Sequence, residues 1–399
     1  MDMKKIKVVI NEEFKGMNSG WPTRYVGLLR QLEKHFQLYL FAPGSTDKLK
    51  AAFPNCTVCD TTINDERLVK GGLADYLLSI VRPRPEKIYR PDFKYYDQFK
   101  SLLDSDQQAY DVSLYFGMSG FVIFSENDLT RNKICDFCDS RLRALKSKRI
   151  SRQNLGMLSY IFESTYVKRI KRRLISDRVL GLAITDEDVQ EISRAFKGAM
   201  LTIQNGIDEV REVDDKIIAA AHQSPEVLFL GSLDFDPNID AVRALAEHIW
   251  VDYNKTAEGR LKLNIVGRSA SDHIKSLVDG VPNAQLYSDV PSTTPYYDKA
   301  RFFVVPIYFG AGMKNKVLEA LARGTPVLTT EEAVKGIRFE DGVHGFIANS
   351  NQAFVEKLHY CESIPFEEYR ALSLAAIELA RSYQWDQTCR PLIDRIAAM

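Results

Sequence analysis

Residues 302–330 read FFVVPIYFGAGMKNKVLEALARGTPVLTT, and this stretch decides the fold. FFVVP is an apolar run without alternation, which is typical of a parallel strand buried on both faces. A helix is predicted from about Met313 to Arg323, and Gly324 is predicted to end it as a left-handed cap before the strand PVLTT. This order of strand, glycine turn, helix and strand predicts a parallel sheet covered by helices.

The glycine turn has the composition of an anion site. Gly310 and Gly312 allow a ligand close to the backbone, and the free N–H groups of the following helix attract negative charge. Lys314 and Lys316 fall in the first helical turn, where the helix dipole disfavours cations unless an anion neutralises them. Glu319 lies one turn further on and suits ribose hydroxyls. The alternative is a solvated lysine–glutamate pair, since the turn is neither a G-x-G-x-x-G nor a Walker loop.

The same alternation of strand and helix continues in both directions along the chain, which indicates two doubly wound α/β domains. The carboxylate-rich stretch 205–226 is interpreted as the linker between them. We therefore predict a first domain over 1–205, a second over 206–375, and closing helices over 376–399 that pack back on the first. Predicted strands are 6–10, 38–42, 112–116, 134–137, 181–185, 201–204, 227–231, 263–267, 284–288, 302–306 and 326–330.

Bulk composition narrows the class of protein. The 399 residues have a formal net charge of zero, so nucleic acid is not an expected partner. The first apolar run is too short for a signal peptide, and no stretch is long enough to span a membrane, which predicts a cytoplasmic protein. The C-x-x-C pairs at Cys56 and Cys135 are too far apart for a zinc site, so free, mostly buried cysteines are expected.

The segment PIYFGAGMKNKVLEALARGTPVLTTEEAVKG (306–336) resembles the donor-binding signature of the GT-B glycosyltransferases grouped as glycosyl transferases group 1. Further blocks are similar to that family in the same order, and the resemblance is strongest over 201–347. It implies the GT-B fold, with two Rossmann-like domains facing a cleft. The supporting blocks are NSGWPTRYVGLLRQL (18–32), QNGID (204–208), VLFLGSLDFDPNIDAV (227–242) and LNIVGRSA (263–270).

The resemblance also implies site residues in the second domain. Lys316, Arg268 and Glu319 are the expected catalytic residues, acting on the leaving diphosphate and its nucleoside. The chain departs from the family pattern in two respects: Ser232 and Leu233 stand where it has an arginine and a lysine, and Ala311 stands where it has a first glutamate. The expected donor-binding residues are Gly231, Ser232, Gly267, Arg268, Phe309, Gly310, Ala311, Gly312, Met313, Lys314, Asn315, Lys316 and Glu319.

In the first domain, the glycine loop before the first helix is expected to face the acceptor. A basic segment over 141–178 with interleaved aromatics predicts contact with an anionic membrane surface, and a solvated pair of cationic helices is the alternative. The protein would then lie in the cytoplasm, peripheral to the inner face of the membrane. Plain packing is the alternative for Trp21, and structural hydrogen bonding is the alternative for Asp136 and Asp139. The expected acceptor-binding residues are Gly16, Gly20, Trp21, Arg24, Asp136 and Asp139.

These expectations combine into one predicted function. The chain is expected to move a sugar from a nucleotide-diphosphate sugar to a glycan, lipid-linked or other polar acceptor, with retention at the anomeric carbon. Neither a cofactor nor a metal is expected, and Asp234 and Asp236 are not interpreted as a metal-binding D-x-D. The alternatives are a nucleotide-sugar epimerase of the same fold and a catalytically silent scaffold that binds nucleotide sugars.

Overall fold

The structure is a computed structural model. In it, the chain folds into two compact units. The first unit is Met1–Asn205 together with Thr388–Met399, and the second is Gly206–Gln387. The described residues are 3–10, 23–43, 46–59, 96–140, 143, 178–194, 196–256, 260–310 and 312–399.

A parallel sheet forms the centre of the first unit. Its seven described strands lie in the order β3-β2-β1-β4-β5-β6-β7, and each neighbouring pair is parallel. The strands are β1 (Lys5–Ile10), β2 (Gln37–Phe41), β3 (Thr57–Val58), β4 (Val112–Phe116), β5 (Asn132–Cys138), β6 (Val179–Ala183) and β7 (Met200–Thr202). The helices described around it are α1 (Thr23–Leu32), α2 (Thr46–Ala52), α3 (Tyr96–Ser105), α4 (Met118–Phe124) and α5 (Asp186–Ser193).

The second unit repeats this architecture with six described strands in the order β10-β9-β8-β11-β12-β13, again all parallel. The strands are β8 (Glu226–Leu230), β9 (Lys262–Gly267), β10 (Ala284–Ser288), β11 (Phe302–Val305), β12 (Val327–Thr329) and β13 (Gly345–Ile347). The helices are α6 (Asp215–Gln223), α7 (Asp236–Ala244), which continues through a π-helical turn (Leu245–Ile249) into α8 (Trp250–Thr256), α9 (Asp272–Asp279), α10 (Thr294–Lys299), α11 (Asn315–Ala322), α12 (Asn351–Ser363) and α13 (Phe366–Arg381).

Both strand orders reverse once, between β1 and β4 in the first sheet and between β8 and β11 in the second. In doubly wound folds, ligands bind beyond the carboxyl ends of the strands that flank this reversal. In the second unit, the residues beyond those ends are the turn at Gly231 and the turn at Gly310. The fold therefore places the predicted glycine turn where a ligand is expected.

The predicted linker contains a helix. The sequence indicates a linker over 205–226, and the structure forms α6 within these residues. The Asp214 side chain caps this helix by accepting a hydrogen bond from the Lys216 amide, and Ile218 is buried. A single buried face on a helix of nine residues was too weak a pattern to outweigh the carboxylates around it.

The closing segment divides differently from the sequence prediction. Helix α13 and residues up to Gln387 belong to the second unit, and so does the stretch 376–387. The chain enters the first unit at the end of α14 (Trp385–Thr388) and continues into α15 (Arg390–Ala397). There the Lys4 ammonium donates to the carbonyls of Ile396 and Ala397, at 3.2 and 2.9 Å.

All six cysteines are free thiols, and Cys135, Cys361 and Cys389 are buried. Among the described helices, none combines the length and the apolar character needed to cross a bilayer.

Two neighbouring glycines, Gly342 and Gly345, give a matched test of the packing of β13 against β12. Gly345 has φ +141°, and a Cβ there would lie 2.1 Å from the Val327 carbonyl oxygen, whereas Gly342, with φ +75°, has open space around it. Gly345→Ala is expected to lower the free energy of unfolding of the second unit by about 3 kcal/mol, because strain adds to a clash with the backbone of β12. Gly342→Ala is expected to cost only about 1 kcal/mol, from strain alone.

Urea unfolding of both variants measures the difference. Equal destabilisation by the two substitutions would contradict the β12–β13 pairing at Gly345.

Candidate functional site

The turn between β11 and α11 is built from two glycines between buried anchors. Gly310 has φ +144° and Gly312 has φ +68°, conformations that other residues rarely adopt. Phe309 and Met313 are buried on either side and fix the turn to the core. Helix α11 begins at Asn315, two residues later than the sequence predicts. The predicted donor residue Ala311 lies outside the described residues.

Lysine residues surround the start of this helix. Lys314 is its N-cap residue, and the Lys314 ammonium donates to the Gly312 carbonyl at 3.2 Å. Lys316 reaches across to β8, where its ammonium donates to the Leu230 carbonyl at 2.9 Å and lies 4.7 Å from the centre of the Phe229 ring. Both cations therefore lie at the carboxyl edge of the sheet.

Burial, together with the nearby charge of Lys314, lowers the pKa of Lys316 to about 7, although the charge of Glu319 opposes the change. Near neutral pH the amine is thus close to half protonated. Because an anion stabilises the ammonium form, its arrival would raise this pKa and draw a proton onto Lys316.

Glu319 faces Tyr297 of α10. The Tyr297 hydroxyl is 3.0 Å from Glu319 Oε2 and 3.2 Å from the Lys316 carbonyl. Burial raises the pKa of Glu319 above its ordinary value, although the hydrogen bond from Tyr297 pulls in the other direction. The carboxylate is partly buried, and it keeps acceptor capacity for hydroxyl groups of a ligand.

Arg268 supplies a second cation from the end of β9. Its Nε donates to Ser232 Oγ at 3.2 Å, and Ser232 Oγ donates to Asp234 at 2.6 Å. The Arg268 side chain is exposed, and its Nη groups have no hydrogen-bond partner in the described part of the chain. Four of the five guanidinium N–H donors are consequently available to an anion.

The turns after β8 and β9 lie too close together for larger side chains. A Cβ on Gly267 would lie 2.1 Å from the Gly231 carbonyl oxygen, and a Cβ on Gly231 would lie 2.7 Å from the Asn238 amide. Leu233 N donates to the Arg268 carbonyl at 2.9 Å and joins the two turns. The structure therefore brings Gly231, Ser232, Gly267 and Arg268 together at one edge.

Three residues of this edge had not been predicted. Tyr297 holds Glu319, Asn238 accepts from Lys316, and Asp289 accepts from the amide of Ser269, which has φ +59°. Asn238 lies in the quoted Pro-Asn motif, so its position was visible in the sequence although its contact was not. The other contacts join segments distant in the chain, which no spacing argument reaches.

Two of the predicted acceptor-binding residues, Arg24 and Asp136, are buried in the first unit. Arg24 is 1% exposed and Asp136 is fully buried, and they form a two-pronged ion pair at 2.8 and 2.9 Å. Arg24 also donates to the Ile203 carbonyl and to Asn205 Oδ1. Both residues therefore belong to the core, which corrects the predicted place of Arg24 in an acceptor pocket and gives Asp136 the structural hydrogen bonds that were its alternative. Asp139 is partly buried beyond the end of β5, whereas Gly16, Gly20 and Trp21 lie outside the described residues.

Within the ranges that the structure describes, no group of three or more His, Cys, Asp or Glu side chains is placed to hold a metal ion. Asp234, the first aspartate of the D-x-D sequence, instead accepts the hydrogen bond from Ser232.

The edge as a whole suits a dianionic ligand. A glycine turn, the N-terminus of α11, the Lys316 ammonium and the exposed Arg268 guanidinium meet beyond β8, β9 and β11. Backbone N–H groups and fixed cations of this kind hold phosphate groups.

Comparison with known proteins finds a family match within the second unit. Residues 224–361, which contain every described predicted donor residue, match the family model of Glycosyl transferases group 1. Among curated proteins, none matches the chain significantly.

Solved structures resemble the chain over its whole length at low identity. Sucrose-phosphate synthase from Thermosynechococcus elongatus is 15% identical, with 99% of this chain and 98% of that one covered and a TM-score of 0.67. HepE from Anabaena, in complex with UDP, is 12% identical over 100% of both chains, with a TM-score of 0.65.

WaaG, a glycosyltransferase involved in lipopolysaccharide biosynthesis, is 13% identical over 99% of this chain and 100% of that one, with a TM-score of 0.65. These likenesses support the two-domain fold, and the family match lies on the unit that carries the site. The chain is therefore a glycosyltransferase with the GT-B fold, whose residues 224–361 form a glycosyl transferases group 1 domain.

Proposed function

We propose that the donor is a nucleoside-diphosphate sugar, bound beyond the carboxyl ends of β8, β9 and β11. The observation that carries this proposal is the convergence of Lys316, Arg268 and the N-terminus of α11 at the strand-order reversal of the second sheet. Two cations and a helix end match the charge of a diphosphate. The UDP and the UDP-glucose in the HepE complexes support the same class of ligand.

In the proposed reaction, the bond between the anomeric carbon and the diphosphate breaks while an acceptor hydroxyl attacks. Negative charge grows on the leaving diphosphate, so groups that bind it more strongly in the transition state accelerate transfer. Lys316 and Arg268 fill that role, and Glu319 holds the ribose hydroxyls. We propose a hexose as the transferred sugar, retention at the anomeric carbon and no requirement for a metal.

The proposed acceptor is a glycan, a lipid-linked sugar or another polar hydroxyl compound. The involvement of WaaG in lipopolysaccharide biosynthesis supports a lipid-linked acceptor by analogy. The predicted membrane-binding segment 141–178 lies outside the described residues except for Arg143 and Arg178, so membrane contact stays a prediction. Arg143 itself pairs with the buried Asp188 at 3.0 Å.

A thermal-shift screen tests the donor. The full chain is heated with UDP-glucose, GDP-mannose, ADP-glucose, dTDP-glucose or a CMP-sugar, and one class is expected to raise Tm. A ligand at about 100 times its Kd stabilises the protein by roughly 2.7 kcal/mol. Incubation of that donor without acceptor separates the alternatives, because an epimerase would produce the epimer. If no nucleotide sugar shifts Tm, the donor proposal is wrong.

Glu319→Ala tests the nucleoside side of the site. The substitution is expected to lower kcat/KM at least tenfold, or by about 1.4 kcal/mol, because a carboxylate suited to the ribose hydroxyls is lost. The matched control is Glu356→Ala on the exposed face of α12, which is expected to retain full activity. Wild-type kcat/KM in Glu319→Ala, measured with the donor found in the screen, would remove Glu319 from the site.

A further inference from the structure

The Asn238 side chain joins the elements that carry the proposed donor site. It is 7% exposed, in the first turn of α7 beside Pro237. Its amide packs against Gly231, where an added Cβ would lie 2.7 Å from both Cγ and Nδ2 of Asn238. The amide is thus enclosed between the turn after β8 and the helix that begins at Asn315.

Both ends of this amide make hydrogen bonds. Asn238 Nδ2 donates to the Ser232 carbonyl at 2.8 Å, and Asn238 Oδ1 accepts from the Lys316 ammonium at 2.6 Å. A flipped amide would turn its NH₂ group toward the ammonium, so the two partners fix its orientation. Neither leucine, which has no polar atom, nor aspartate, which has no donor, can make both bonds.

These bonds determine where the cation lies. The Lys316 ammonium has three protons, and in the described structure two of them are directed to Asn238 Oδ1 and the Leu230 carbonyl. One proton remains for a ligand. The same amide holds the Ser232 carbonyl, and the Ser232 hydroxyl accepts from Arg268. One residue therefore connects the two cations that are proposed to bind the diphosphate.

We propose that Asn238 is a positioning residue of the glycosyl transfer, holding the Lys316 ammonium and the Gly231–Ser232 turn at the separation that a nucleoside diphosphate requires. This inference rests on the proposed donor site.

Asn238 is also suited to this role because it is neutral. The charged groups that act on the Lys316 amine are Lys314 and Glu319, on or next to its own helix. From β8 and α7, the described contacts are neutral: the Phe229 ring, the Leu230 carbonyl and the Asn238 amide. The positive charge of Lys316 is thus left for the ligand, whereas an aspartate in place of Asn238 would neutralise it.

The pH dependence of nucleotide-sugar binding reports on the contact between Asn238 and the Lys316 ammonium. An anionic diphosphate binds the ammonium and not the neutral amine, so wild-type affinity should fall as pH rises above the Lys316 pKa of about 7. The diphosphate of a nucleotide sugar does not titrate between about pH 6 and about pH 8.5, so a change in this range belongs to the protein. UDP-glucose, GDP-mannose and ADP-glucose serve as probes in calorimetric titrations of the full chain.

Two substitutions move this dependence in opposite directions. Asn238→Asp places a carboxylate beside the ammonium, which weakens binding at least tenfold at neutral pH and moves the fall in affinity upward by about one pH unit. Asn238→Leu removes an acceptor from the ammonium, which weakens binding at least tenfold and moves the fall to lower pH. If Asn238 only stabilised the fold, both substitutions would lower Tm, and neither would move the pH at which the affinity falls.

Asn254→Asp is the matched control. Its amide has the same pattern, donating to the Trp250 carbonyl at 2.7 Å and accepting from Asn283 at 3.0 Å, but it lies on α8 away from the donor residues. We expect wild-type affinity and a wild-type pH midpoint. If Asn238→Leu does not fold, the affinity and the pH midpoint of Asn238→Asp alone test the role of Asn238.

Wild-type affinity and midpoint in the folded Asn238 variants would overturn the role of Asn238 while leaving the donor site in place. Failure of the wild-type chain to bind any of the three probes would instead overturn the donor site itself.

Discussion

Replacing Lys316 by methionine is expected to lower kcat/KM for glycosyl transfer by on the order of 100-fold, or about 2.7 kcal/mol. The ammonium is the cation fixed most firmly at the site, by the Leu230 carbonyl and Asn238. Methionine fills a similar volume beside the Phe229 ring but carries no charge for the leaving diphosphate. The loss should appear in kcat as well as in binding, because negative charge on the diphosphate grows toward the transition state.

The matched control is Lys255→Met on α8. Lys255 is exposed and, among the described residues, pairs with its helical neighbour Asp252, so its removal should leave kcat/KM unchanged. Initial rates with the donor found in the screen, together with Tm values, separate lost catalysis from lost folding. Equal rates for Lys316→Met and wild type would show that the leaving group is stabilised elsewhere.

Replacing Arg24 by methionine is expected to destabilise the first unit by about 3–5 kcal/mol, because a fully buried carboxylate at Asp136 loses its partner. Although burial alone would lower the pKa of Arg24, the charge of Asp136 raises it above its ordinary value, so the guanidinium is charged at any working pH. The carbonyl of Ile203 and the side chain of Asn205 lose donors as well.

Removing both charges should cost less than removing one. The double variant Arg24→Met/Asp136→Leu leaves no buried ion behind and is expected to recover part of the loss. Lys100→Met, which breaks a partly exposed pair with Asp104 on α3, should change stability by about 1 kcal/mol or less.

Hydrogen exchange of β4 and β5 in increasing urea reports on the first unit specifically. Unchanged protection in Arg24→Met combined with lost transfer would restore the prediction that Arg24 binds the acceptor.

The sheet architecture was predictable because buried parallel strands are continuous apolar runs. VSLYF was predicted at 112–116 and AQLYS at 284–288, with the bounds that β4 and β10 have in the structure. The two described strands that were not predicted, β3 and β13, have only two and three residues. Such short strands exist through pairing with their neighbours, as at Val327 and Gly345, and no local pattern encodes them.

The site was predictable where its residues lie close together in the chain. The glycines, Lys314, Lys316 and Glu319 follow one another around the start of one helix, so the conflict of cations with the helix dipole was visible in the sequence. Arg24 and Asp136 are 112 residues apart, and a charged residue near the end of a strand has the same appearance whether it pairs in the core or faces a ligand. Only the packing distinguishes the two cases.

The most direct test of the central claim is a crystal structure of the full chain with the nucleoside diphosphate of the nucleotide sugar that raises Tm. We expect the diphosphate to lie between the Arg268 guanidinium and the Gly310–Gly312 turn, with one oxygen bonded to the Lys316 ammonium and the ribose hydroxyls facing Glu319. A nucleotide bound elsewhere, with no contact to Lys316 or Arg268, would contradict it.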